Sequence, residues 1–305
     1  MEKISFYFGR IAKKVILRIM DKVYIIIVNY NGFTVTCECI DSLLKIYNTN
    51  FHIVLVDNCS TDNSFIKFKE RFINNEKVDV IKTPVNSGFA GGNNYGISYA
   101  IEKGAKLYLL LNNDTEVEPD FLDALLNGYA DDTICTPRIN YYYDKEIVWY
   151  SAGEVDFNKG IVKNGNPLLE KKVTFASGCC MLLSNKVIDI IGMLDESYFM
   201  YYEDLAYSLD AVNSGIDIVY KPNSIIYHKV GLTTGGEKSK LSIYYNNRNR
   251  FYILKRYKFG LRCYVYTYLS RMVRFIKGCV KRDNDTVILE AYIDYKKGII
   301  GKKDF

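Results

Sequence analysis

The sequence predicts an α/β protein in which a mainly parallel central sheet is flanked by helices. Three observations predict it. Short, continuously apolar, β-branched runs recur through the first part of the 305-residue chain, and such runs belong to strands buried on both faces. Each early run is followed by a stretch with helical character. Each also ends in a polar cluster, and in parallel sheets ligands bind beyond the carboxyl ends of the strands.

The elements follow in order. "KVYIIIV" (22–28) predicts the first strand, with a helix from Thr34 to Tyr47. "FHIVLVD" (51–57) predicts the second, and "STDNSFIKFKERF" begins a helix behind a Ser/Thr/Asp cap. "KVDVIK" (77–82) is the third, followed by a glycine-rich turn and a helix through about Lys103. "AKLYLLL" (105–111) is the fourth. Polar clusters at 29–31, 57–58, 84–88 and 112–114 should therefore converge on one edge. After Pro137 the texture changes, and "YYYDKEIVWYSAGEVDFNKGIVK" (141–163) reads as short antiparallel strands with Gly153 and Gly160 in turns. "VTFASGCCMLL" (173–183) reads as one buried strand, "YEDLAYSLDAVNSG" (202–215) as a helix closed by Gly215, and "IDIVY" and "SIIYH" as two more strands. From about Ser242 the chain reads as helical and basic. The expected organisation is an N-terminal basic amphipathic helix (1–21), a body at 22–240 and a C-terminal basic helical region at 241–305.

Charge is segregated along the chain. Residues 1–22 carry six Lys/Arg against two acids and 238–305 carry 17 against five, which leaves 17 basic and 28 acidic residues between them. An acidic body with basic ends suggests that the ends meet an anionic membrane surface or lipid phosphate; solvated helix faces are the alternative. In the N-terminal segment Ile4, Phe8, Ile11, Val15 and Ile19 share a helical face, which suits an interfacial helix or one packed on the body. No nucleic-acid partner is expected. Eight cysteines without a CxxC pair, and two histidines far apart, argue against a zinc knuckle. Free thiols in a reducing cytoplasm are the simplest expectation. The longest apolar runs fall far short of the roughly 20 residues that cross a bilayer.

Several side chains invite chemistry. Asp57 ends a wholly apolar strand, where a carboxylate can accept the N3–H of a pyrimidine base or cap the following turn. "NSGFAGGNNYG" (86–96) permits close backbone approach at a helix start, but matches neither GxGxxG nor the P-loop. Asp114, in "LLLNNDTEVEP" (109–119), offers a hard oxygen to a divalent cation. His228 ends a strand, as a structural residue or a ligand. Glu203 and Asp204 open a helix, where the dipole favours acids and where a carboxylate can also act as general base. "YYNNRNR" (244–250) offers Arg248 and Arg250 to a diphosphate, or simply starts a basic helix.

Taken in order, "VNYNG", "VDNCSTD", "NSGFAGGNN", "LLNNDTEV", "SGCCMLL", "DESYFMYYEDLAYSLDAVNSG" and "YYNNRNR" resemble the family 2 glycosyltransferases, and within them the bacterial rhamnosyltransferase-type enzymes of cell-surface polysaccharide synthesis. The resemblance spans roughly residues 22–258. It implies a GT-A fold, with a nucleotide-binding half at 22–118 and an acceptor-binding half at 119–240. By it Asn29, Tyr30, Asn112 and Asn113 line the nucleotide-sugar pocket, Asp57 and Asn58 hold the base, and Gly88, Phe89, Gly92 and Asn93 flank base and ribose. Arg248 is expected to close over the diphosphate. Asp114 matches the last position of the family's DxD metal motif, and His228 a histidine that some members use as second ligand. With Asn112 at the first position, the Mg²⁺ or Mn²⁺ site should be weak and fill mainly with the donor bound. Asp204 matches the catalytic base of the xED motif, with Glu203 beside the acceptor.

The implied reaction is a single inverting displacement from a dTDP- or UDP-linked sugar, rhamnose by subfamily likeness, to a saccharide or lipid-linked saccharide. The enzyme would then be cytoplasmic and peripheral at the inner face of the cell membrane. Two other readings compete. A sugar-phosphate nucleotidylyltransferase would want a basic Gly-rich loop where this chain has "NYNG". A non-catalytic nucleotide-sugar or polysaccharide-binding module would not need Asp57, Asp114 and Asp204 together.

Overall fold

The computed structural model describes residues 21–230 and 238–303. The helix expected at 1–21 lies, but for Asp21, outside them.

The alternating half consists of β1 (Val23–Asn29), α1 (Phe33–Leu43), β2 (Phe51–Asp57), α2 (Ser64–Arg71), β3 (Val78–Lys82), α3 (Gly88–Glu102) and β4 (Leu107–Asn112). β1 pairs in parallel with both β2 and β4, and β2 with β3. The apolar runs are continuous because both faces are covered. Ile25, Ile27, Leu55 and Leu109 share one core with Ile40 and Phe68 of α1 and α2. Ile26, Val54, Val56 and Leu110 share the other with Ala90 and Ile97 of α3.

The second half contains β5 (Thr115–Val117), α4 (Phe121–Leu126), β6 (Thr133–Tyr141), β7 (Val148–Tyr150), the hairpin β8 (Glu154–Asp156) and β9 (Ile161–Lys163), β10 (Lys171–Val173), β11 (Cys180–Ser184), α5 (Asn185–Ile191), α6 (Glu203–Asn213) and β12 (Asp217–His228). It extends the same ten-stranded sheet, in the order β10-β12-β6-β11-β4-β1-β2-β3, with β5 beside β12 and β7 beside β6. β11 runs antiparallel to β4, and β12 parallel to β6. The basic C-terminal segment forms α7 (Lys240–Arg256), α8 (Leu261–Lys281) and α9 (Val287–Lys296).

Two expected strands are redrawn. Residues 173–183 are not one strand: β10 ends at Val173 and β11 begins at Cys180. Between them the backbone N–H of Ala176 bonds to the Ser208 hydroxyl at 3.1 Å, so α6 replaces the sheet as its partner. Conversely, the two strands expected around Pro222 are one, β12, whose register against β6 slips between Lys221 and Ile225. Proline removes one ladder donor, and here the ladder shifts past it instead of ending.

The glycines of α3 serve packing. Gly92 and Gly96 face the sheet: a Cβ on Gly92 would lie 2.7 Å from Val28 Cγ1, and one on Gly96 2.4 Å from Ile26 Cγ2 and 2.9 Å from Val56 Cγ2. Gly92 thus seats the helix on β1, and it does not line the cavity described below. Gly96→Ala is expected to destabilise the protein by about 1–3 kcal/mol through overpacking, despite alanine's better helix propensity. Urea denaturation checks this, and an unchanged midpoint would show that the strand side chains yield.

Candidate active site

The carboxyl ends of β1, β2 and β4 meet the start of α6 and the end of β12 around one cavity of about 480 Å³. From the alternating half its lining includes Tyr30, Asn58, Gly88, Phe89, Asn112, Asn113 and Asp114. From the other half come Trp149, Ser177, Gly178, Glu203, Asp204 and His228. The C-terminal segment adds Leu241, Tyr245, Lys302 and Lys303.

Asp204 is fixed by backbone donors. Its Oδ2 accepts the N–H of Gly178 at 3.1 Å and its Oδ1 the N–H of Leu205 at 2.8 Å. Glu203 is buried beside it, and its Oε2 has no hydrogen-bond partner. Burial raises the pKa of both carboxyls. Glu203 is pushed well above the ordinary range, first by burial and then by the charge of Asp204. The N–H groups of Gly178 and Leu205 hold Asp204 back against that rise. The backbone donors thus favour the charged form of Asp204, while burial and the neighbouring charge favour the neutral form of Glu203.

Asp114 and His228 are buried and adjacent, with Oδ1 and Nε2 3.1 Å apart. β5 pairs with the end of β12, and that pairing delivers them to one spot. The indole of Trp149 packs edge-on against the imidazole, ring centres 4.4 Å apart. Among the described residues no third His, Cys, Asp or Glu joins them in a metal-sized cluster.

Asn29 and Asp57 lie behind the cavity wall, both fully buried. The amide of Asn29 donates to Asp57 Oδ2 at 3.1 Å and to Ser60 Oγ at 3.0 Å, while Asp57 Oδ1 accepts the N–H of Ser60 at 3.0 Å. Asn58 shapes the glycine turn, donating to the Gly88 carbonyl at 2.9 Å and accepting the N–H of Ser87 at 3.1 Å. Gly88 is required there: its φ is +74°, and a Cβ would meet the Phe199 carbonyl at 2.1 Å.

Residues 24–192 match the family model described as "Glycosyl transferase family 2", more than half of the chain. The chain belongs to family 2 of the glycosyltransferases. It is 28% identical over 248 residues to the dTDP-rhamnosyl transferase RfbF of Shigella flexneri, covering 77% of this chain and 81% of that protein. It is also 28% identical over 250 residues to the low-salt glycan biosynthesis hexosyltransferase Agl10 of Haloferax volcanii, covering 78% and 77%. The fold resembles GalNAc-T7, solved with UDP, GalNAc and Mn²⁺, at a TM-score of 0.60 and 15% identity over 75% of this chain and 47% of that one. It also resembles S. aureus TarS 1-349 in complex with UDP-GlcNAc, at a TM-score of 0.53 and 18% identity over 75% of this chain and 65% of that one. This glycosyltransferase thus has the GT-A architecture, a mixed sheet flanked by helices.

Besides Asn29, Asp57 and Gly92, two further expected site residues lie outside the cavity lining. Arg248 is fully buried: its guanidinium donates to the carbonyls of Gly301 at 2.7 Å and Tyr198 at 3.2 Å and lies over the Tyr245 ring. It braces the loop before α6 and does not line the cavity, because those carbonyls occupy the donors that a diphosphate would need. Asn93 is buried in α3, with its amide on the Phe89 carbonyl at 2.9 Å. Sequence reasoning missed Gly178, Trp149 and Lys302. Gly178 stood in a quoted block without a role, and Trp149 is the only tryptophan of the chain.

The Glu203 carboxyl makes a stability prediction. Its pKa is raised on folding, so its protonated form costs nothing below the ordinary value of 4.5 and stability falls as pH climbs toward the folded value. Glu203→Gln is expected to raise Tm at pH 7 and leave it nearly unchanged at pH 4. Equal shifts at the two pH values would show that Glu203 is not held protonated.

Proposed function

We propose that this enzyme transfers a sugar, rhamnose first among candidates, from a dTDP- or UDP-linked donor to a hydroxyl of a saccharide or lipid-linked saccharide, with inversion. The observation that carries the reading is the single cavity shared by Asp204, the Asp114–His228 pair and the strand ends of the nucleotide half. The likeness to a dTDP-rhamnosyl transferase supports the donor class. A cytoplasmic site at the inner face of the membrane suits a lipid-linked acceptor. Among the described residues no helix is long and apolar enough to cross a membrane.

In this reading Asp204 removes the acceptor's proton as its oxygen attacks the anomeric carbon. The two N–H groups on its carboxylate orient it while leaving lone pairs free to accept that proton. Glu203, protonated, donates a hydrogen bond to the acceptor and adds no second charge. Asp57 accepts from the base. Its carboxylate keeps acceptor capacity beside the bonds it already accepts from Asn29 and Ser60. Lys302, lining the cavity, takes the diphosphate contact once expected of Arg248. Lys303 is already held by Asp294 at 2.7 Å and Glu290 at 3.0 Å.

The residues present fit a divalent cation. Donor atoms 3.1 Å apart match adjacent corners of an octahedron with bonds of about 2.1 Å. Bound between Asp114 and His228, a cation would supply positive charge against the departing diphosphate. One imidazole in the donor set favours Mn²⁺ over Mg²⁺. Asn112 adds no charge, so a cation held there would rely on the donor's phosphates for further negative charge.

Asp204→Asn is expected to lower transfer by roughly 10²–10⁴-fold while the donor still raises Tm. In the wild type, activity should fall as pH drops through a value above the ordinary aspartate pKa of 3.8. Normal turnover of the variant would remove Asp204 from the base role. For the cation, Mn²⁺ added with UDP or dTDP should quench the fluorescence of Trp149, and His228→Ala should abolish the quench. Equal quenching in that variant would place the metal elsewhere.

A further inference from the structure

Helix α8 is amphipathic in reverse. Leu261, Val265, Leu269, Met272, Ile276 and Val280 fall within an arc of about 100° at 3.6 residues per turn. All six are between 48% and 79% exposed. The opposite side carries the packing: Cys263, Thr267 and Gly278 are buried, Arg250 Nε donates to Thr267 Oγ1 at 3.1 Å, and the Tyr264 hydroxyl donates to the Leu254 carbonyl at 3.0 Å. The apolar stripe is thus not a core face awaiting this chain's described residues. It runs the full length of a 21-residue helix, about 31 Å.

The charge pattern selects the occupant. α8 contains five Lys/Arg and no acid. Arg262 is exposed at one edge of the stripe, Lys277 and Lys281 are exposed farther round the helix beyond that edge, and Tyr266 and Tyr268 stand exposed at its two margins. A second copy of α8 would bring five more cations, and residues 1–22 would bring six against two acids. Both would be repelled. An anionic lipid surface satisfies both halves of the helix, taking the stripe into its acyl boundary and the cations among its phosphates.

We propose that α8 docks the enzyme onto anionic membrane by this outer face, lying in the interface plane rather than crossing it. The proposal deepens the reading of a lipid-linked acceptor, but it stands on a surface remote in sequence from the catalytic carboxylates and can fail independently of them.

The test is sedimentation of the full chain with vesicles of phosphatidylcholine, with and without phosphatidylglycerol. Wild type should bind the phosphatidylglycerol vesicles, less so as salt rises. Leu269→Asp combined with Ile276→Asp should weaken binding by roughly tenfold or more. Lys277→Glu combined with Lys281→Glu should abolish the preference for anionic vesicles. Circular dichroism and nucleoside-diphosphate release from the donor should match wild type in both variants, since all four residues are exposed and outside the cavity. Undiminished binding by the aspartate variant overturns the proposal. So does a dimer by light scattering that the same variant dissociates, which would assign the face to a second copy. Loss of donor turnover in wild type would count against the glycosyltransferase mechanism and leave vesicle binding to be judged by itself.

Discussion

Phe199, Tyr201 and Tyr202, three of the four residues before Glu203, sit at φ of 63°, 63° and 74°, a region that costs side-chain-bearing residues about 1–3 kcal/mol each. The amide of Asn249 offsets that strain. It lies within 2.8–2.9 Å of the carbonyls of Tyr198, Met200 and Tyr201, and Arg248 adds a bond to Tyr198. The kinked loop in turn offers the Phe199 carbonyl to the N–H of Phe89 at 2.7 Å, which ties it to the glycine turn of the alternating half. Helix α6 starts where the kink ends, so the positions of Glu203 and Asp204 depend on this clamp. Through it the two halves of the cavity keep a fixed spacing.

The legible parts of the sequence were those in which one local rule decides. The strands β1 to β4 were readable because a continuous apolar run has few homes other than a doubly covered sheet. Asp57, Asp114 and Asp204 were readable as strand-end or helix-start carboxylates placed in the order of a known family. Gly92 and Arg248 were not. A glycine beside a phosphate-sized turn and a glycine beneath a helix look alike until the neighbouring Val28 is known. An arginine that binds an anion and one that binds carbonyls differ only in what surrounds them. The single stretch 173–183 failed for a related reason: its apolar residues suit a strand, yet Ser208 of α6 captures the backbone of Ala176.

The acidic groups of the site are separated in state as well as in place. Two N–H groups point at Asp204 and favour its charged form, while Glu203, one residue away, is buried with an oxygen that no described residue satisfies. Two ionised carboxylates on adjacent residues would repel each other and the departing diphosphate. In the proposed mechanism one charge and one proton would give a base and a donor from the same helix turn. Asn112 fits the same economy of charge at the other end of the cavity. With a neutral amide there, a cation held by Asp114 and His228 as proposed would draw its remaining negative charge from the donor's phosphates.

The C-terminal helices belong to this site as much as the sheet does. α7 carries Asn249 and Arg248, and Arg248 fastens the chain at Gly301, one residue before Lys302. The N–H of Lys303 reaches the Tyr245 hydroxyl at 2.7 Å, and Gly301 N–H reaches the Ser197 carbonyl at 2.7 Å. The tail that brings lysines to the cavity is therefore stitched to the same loop that aims the base. α8 grows from the end of α7 with its packed face on that helix through Thr267 and Tyr264. The exposed apolar stripe on α8 is thus one helix removed from the clamp, so a membrane docked there as proposed would lie at a set place relative to Asp204.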